Sequence, residues 1–65
     1  MPVVEIQLWA GRSKDQKRNM VQKVTAAVCE TIECPPESVH IIITDVEKDN
    51  WGLAGKLASE LPPKK

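Results

Sequence analysis

The chain has one histidine, two cysteines and no net charge, since nine basic residues balance nine acidic ones. Each scarcity excludes something. A metal centre needs more than His40, and no spacing of Cys29, Cys34 and the carboxylates supplies the missing ligands. Neither a metal nor another cofactor is expected. Cys29 and Cys34 stand five apart, which matches no redox motif. Zero charge argues against a nucleic-acid partner, which normally brings a basic excess. Lys14, Lys17, Arg18 and Lys23 do cluster, but on a predicted helix, where a solvated face explains them. No stretch approaches the ~20 apolar residues of a membrane span. The N-terminus lacks the basic segment and apolar run of a signal peptide. A cytoplasmic protein with reduced thiols, and no membrane partner, is the expectation.

What is present is a short chain with strong patterning. Sixty-five residues make one domain, 1–65. A chain of this size buries only about 60% of the surface its unfolded form exposes, so a lone copy is marginal. Val3 to Trp9 alternates, with Val4, Ile6 and Leu8 on one face and Val3, Glu5, Gln7 and Trp9 on the other, as a strand does. Ala10-Gly11-Arg12 follows as a turn. Ser13-Lys14-Asp15-Gln16 is a capping box, in which the Ser13 hydroxyl and the Gln16 side chain each satisfy the other's backbone amide. A helix is expected from Lys14 to about Glu33. Met20, Val21, Val24, Ala27, Val28, Thr31 and Ile32 share one arc, while Arg18, Gln22, Cys29, Glu30 and Glu33 lie opposite. Pro35-Pro36 cannot continue it.

The stretch "SVHIIITDV", Ser38 to Val46, reads as a second strand with both faces largely apolar. Val39, Ile41 and Ile43 point one way; Ile42 and Val46 point the other. Strand, helix, strand implies two parallel strands and a right-handed crossover, with the helix on one face. One helix cannot cover both faces, so the other is expected to meet a second copy of the chain. Asp49-Asn50, Gly52 and Gly55 mark turns, and glycine breaks the Leu53, Leu57, Leu61 pattern too often for a helix. A short hairpin or arm is expected there. Pro62-Pro63-Lys64-Lys65 reads as a frayed tail. The fold class is α+β.

Chemistry has few places to reside. There is no nucleophile elbow, phosphate loop or Ser/His/Asp triad. Cys29 reads as a packing residue at an interface rather than a catalytic thiol. His40 admits a structural and a catalytic reading. So does the Met1-Pro2 start. Proline lacks a backbone N–H, so it suits the first position of a strand. Alternatively, loss of Met1 leaves Pro2 with a free secondary amine, a base held in a ring and anchored to a strand.

The Met-Pro start, the "GRS" with its capping box, the helix, the "SVHIIITDV" strand and "NWGLAGKLAS" together resemble the 4-oxalocrotonate tautomerase family. The likeness covers nearly the whole chain, and Trp51-Gly52-Leu53-Ala54-Gly55 fits the family pattern of aromatic, Gly, aliphatic, small, Gly. The resemblance implies a β-α-β subunit whose sheets are shared in a homohexamer, a trimer of dimers. It implies a cofactor-free keto–enol tautomerase acting on a small 2-hydroxy-dienoate or 2-keto acid. Pro2 is then the general base, taking a proton beside a carbonyl and returning it elsewhere. Arg12 matches the arginine that binds a substrate carboxylate, and Trp51 the aromatic that lines the pocket. His40 stands where the family has a second arginine, contributed by a neighbouring subunit. Trp9 stands where it has an aliphatic residue; facing the pocket, it would suit an aryl-substituted 2-keto acid with one carboxylate. The competing reading is a non-catalytic oligomeric binding module that keeps this fold.

Overall fold

The computed structural model describes residues 1–62. The frayed tail expected at the end of the chain lies, from residue 63 on, outside the described residues. Strand β1 is Val3–Trp9, helix α1 is Lys14–Ile32, and strand β2 is His40–Val46. β1 and β2 pair in parallel, from Val3 opposite His40 to Trp9 opposite Val46. Val4, Ile6 and Leu8 share a face with Ile41, Ile43 and Asp45, and the apolar ones are half-buried. The helix lies on that face. Lys17 Nζ reaches Asp45 Oδ2 at 2.6 Å, tying α1 to the end of β2. The crossover and the faces of both strands agree with the alternation in the sequence.

The capping box forms as the sequence implies. Gln16 N–H donates to Ser13 Oγ at 3.1 Å, and Ser13 N–H donates to Gln16 Oε1 at 2.9 Å. These bonds satisfy two amides at a helix start that has no intrahelical acceptor for them. The apolar arc holds at Met20, Val21, Val24 and Val28, which are half-buried. It fails at the far end, where Ala27, Thr31 and Ile32 are exposed. Nineteen residues rise about 28 Å, whereas a seven-residue strand spans about 23 Å. The last helical turn therefore overhangs the sheet.

Two further details correct the sequence reading. The second strand begins at His40 rather than Ser38, because Pro36–Ser38 forms a 3-10 turn. The amides of Ser38 and Val39 donate to the carbonyls of Pro35 and Pro36, each at 3.1 Å, and are spent before the ladder begins. Cys29 is half-buried rather than on a solvated arc. The helix ends with Glu33 in the left-handed region, φ 57°, and the chain turns back so that Cys34 neighbours Cys29. Desolvation raises the Cys29 pKa from its ordinary value, and the neighbouring Cys34 and Glu37 add to the rise. A raised pKa disfavours the reactive thiolate form.

After β2, a 3-10 turn at Lys48–Asn50 leads into the short antiparallel strands β3, Gly52–Leu53, and β4, Lys56–Leu57. Ala54 and Gly55 make the two-residue turn, with φ of 56° and 78°. Positive φ at both positions matches the twist of a tight hairpin, and glycine accepts it freely where alanine is strained. This is the C-terminal hairpin expected from the glycine spacing.

Candidate active site

The described residues place the sequence-predicted site residues at two ends of one strand. Pro2 and His40 lie together at the start of the sheet, where the His40 N–H donates to the Pro2 carbonyl at 3.0 Å. Pro2 is half-buried and His40 exposed. The ring nitrogen of Pro2 has no role in the ladder, because proline has no N–H to give. The strand is thus anchored through the Pro2 carbonyl, whatever the state of its nitrogen.

Trp9, Arg12 and Trp51 gather at the other end. The Trp9 and Trp51 rings meet edge to face, centroids 6.0 Å apart and planes at 81°, a favoured geometry for aromatic pairs. Ala58 N–H donates to the Trp51 carbonyl at 2.7 Å, which closes the hairpin segment back on Trp51. Ala58 is the one buried apolar residue among those described. Gly11, at φ 120°, turns the chain sharply between Trp9 and the helix cap, and so puts Arg12 beside the Trp9 ring. An open groove of about 230 Å³ is lined by Trp9, Ala10, Gly11, Arg12 and Lys48. A smaller one of about 110 Å³, on the other side of Arg12, is lined by Leu8, Arg12, Gln16, Lys17 and Met20.

Pro2 and Trp9 are seven residues apart on an extended strand, about 23 Å at 3.3 Å per residue. One subunit therefore does not bring Pro2 and His40 together with Arg12, Trp9 and Trp51. Sequence reasoning missed Lys48. Its signal was local: Lys48 stands three residues before Trp51, after a strand end and inside a turn. The Trp9 Nε1 is buried without a hydrogen-bond partner among the described residues.

Comparison with known proteins identifies the family and the fold. The family of tautomerase enzymes matches residues 2–60. A 2-hydroxymuconate tautomerase of Comamonas testosteroni is 44% identical over 61 residues, covering 94% of this chain and 97% of its own. The chain belongs to the 4-oxalocrotonate tautomerase family. A solved 4-oxalocrotonate tautomerase isozyme of Methylibium petroleiphilum superposes with a TM-score of 0.86 at 43% identity, covering 89% of this chain and 94% of that one. A heterohexameric 4-oxalocrotonate tautomerase of Chloroflexus aurantiacus superposes with a TM-score of 0.90 at 29% identity, covering 95% and 100%. The chain is a tautomerase, an isomerase with the β-α-β fold of its family.

Proposed function

We propose that this tautomerase interconverts enol and keto forms of a small 2-hydroxy-dienoate or 2-keto acid, with the Pro2 amine as general base after removal of Met1. The supporting observation is the anchoring of Pro2. Its carbonyl is fixed to His40 at 3.0 Å, while Met1, 85% exposed, makes no contact that its loss would sacrifice in the ladder. A freed amine is then rigidly aimed at the start of the sheet, beside Val3 and His40.

The site is completed by other copies of the chain. Pro2 and Arg12 are too far apart in one subunit to hold one small substrate, so the base and the cation that act together come from different subunits. A homohexamer built as a trimer of dimers meets this need and covers the open sheet face. It also dries the proline end, where loss of water disfavours the charged amine and lowers its pKa towards neutrality, the range in which a base is most effective. Arg12 offers a planar fork to a substrate carboxylate, and the Trp9–Trp51 pair offers an apolar wall to the conjugated body. The charge that builds up as the proton moves is stabilised by the same cation. No cofactor has a part in this chemistry. The cytoplasm, with Cys29 and Cys34 as thiols, is the compartment that fits.

The test joins intact mass to turnover. The active material should lack Met1, and Pro2→Ala should lower kcat on 2-hydroxymuconate or phenylenolpyruvate by on the order of 100-fold, with the fold unchanged. Equal turnover in both proteins, or full activity in material that retains Met1, would remove Pro2 from the mechanism.

A further inference from the structure

The groove beside Trp9 contains a second cation. We propose that Lys48 is a substrate-binding residue which, together with Arg12, clamps one carboxylate of the substrate in that groove. The inference rests on the tautomerase reading above, which supplies a carboxylate substrate.

The local structure explains how a lysine comes to be fixed there. Lys48 opens the 3-10 turn Lys48–Asn50, and Trp51 caps it with its N–H donating to the Lys48 carbonyl at 3.3 Å. Trp51 follows that turn directly in an extended conformation, and Lys48 and Trp51 both meet Trp9. The Trp51 ring stands 6.0 Å from it, and the Lys48 ammonium sits over it, 4.8 Å from the centroid. Attraction between the ammonium and the ring face holds a side chain that would otherwise sweep through solvent.

The charge is also available. Among the described residues the ion pairs are Lys17 with Asp45 and Arg18 with Asp15. Lys48 and Arg12 have no carboxylate partner there, yet they line the same groove. Two unpaired cations beside an indole face make a receptor for an anion attached to a flat, conjugated body. The guanidinium can take both oxygens of a carboxylate, and the ammonium adds a point charge without leaving its ring.

Sorbate and its neutral primary amide are suitable unreactive probes, because they share one diene and differ in charge. Binding is read by calorimetry and by fluorescence of Trp9 and Trp51 in the assembled protein. The wild type should bind sorbate more tightly than the amide. Lys48→Met should weaken sorbate about tenfold or more and leave the amide unchanged, while Lys48→Arg should restore most of the preference. Equal losses for both probes would make Lys48 a packing residue and overturn the proposal. So would an unchanged affinity for sorbate, or a wild type indifferent to charge. Failure of the tautomerase reading looks different: no turnover of any enol, with the preference for sorbate and its dependence on Lys48 intact.

Discussion

At the scale of single residues, His40 is the member of the proposed site that a single substitution tests most directly. Its backbone is committed, since its amide donates to Pro2 and its register partner is Val3. Its side chain is exposed, so a larger cation can replace it without touching the ladder. His40→Arg should therefore change the stability by no more than the range typical of surface substitutions, about 0.5 kcal/mol. It adds a permanent charge at the proline end, where a neutral imidazole can offer only one hydrogen bond. The ratio of kcat/KM on a dicarboxylate enol to that on a monocarboxylate enol should rise, because only the dicarboxylate has a second anion to meet the new charge. A loss of stability with no change in that ratio would place His40 outside the site. Pro2, Arg12, His40 and Trp51 are proposed from their order along the sequence, and activity measurements are what test them. The contact of Lys48 with Trp9 was not legible there, because it joins residues 39 apart through a turn that no periodicity reveals.

Among the elements, the turn between β1 and α1 carries Arg12, the proposed carboxylate-binding residue, and it is built from short-range rules. Gly11 takes a φ that alanine would resist, and the Ser13–Gln16 box fixes where the helix begins. Arg12 sits between these two constraints. Ser13→Ala removes the acceptor for the Gln16 amide and should destabilise the protein by about 1 kcal/mol per subunit, read as a shift of the urea midpoint at fixed protein concentration. Ser13→Thr keeps an oxygen in place and should lose only a fraction of that. If Ser13→Ala also raises KM for a carboxylate substrate, the cap positions Arg12 as well as the helix. A midpoint that does not move would mean that the cap bonds are exchanged for water at no cost. The capping box, the strand faces and the glycine hairpin were readable because each is decided within a few residues. The start of β2 and the meeting of Cys29 with Cys34 were not. The first depends on which amides a proline-led turn consumes, the second on a left-handed Glu33 that residue type does not announce.

The whole subunit has a shape that makes little sense in isolation. Its radius of gyration is 14.9 Å, against about 11 Å for a compact chain of this length. Among the described residues no large side chain is fully buried, and Val3 and Ile42 on the open sheet face are each 53% exposed. The helix covers one face of two strands and overhangs them, while the hairpin with Leu53 and Leu57 reaches away with its apolar side chains uncovered. Such surface marks an interaction site, and the proposed hexamer would cover it with another copy. Ile42→Glu tests this, because the same substitution has opposite consequences in the two settings. On a free surface it would be nearly neutral. In a shared sheet it buries an unpaired carboxylate, which is strongly disfavoured. Sedimentation velocity should show the wild type as a hexamer and Ile42→Glu as smaller species, with a lower melting temperature and lost turnover, since Pro2 and Arg12 then no longer meet. Gln22→Glu, on the exposed side of the helix, adds the same charge and should leave mass and activity unchanged. An active, hexameric Ile42→Glu protein would show that the open face is not the interface, and the pairing of Pro2 with a neighbour's Arg12 would need another surface.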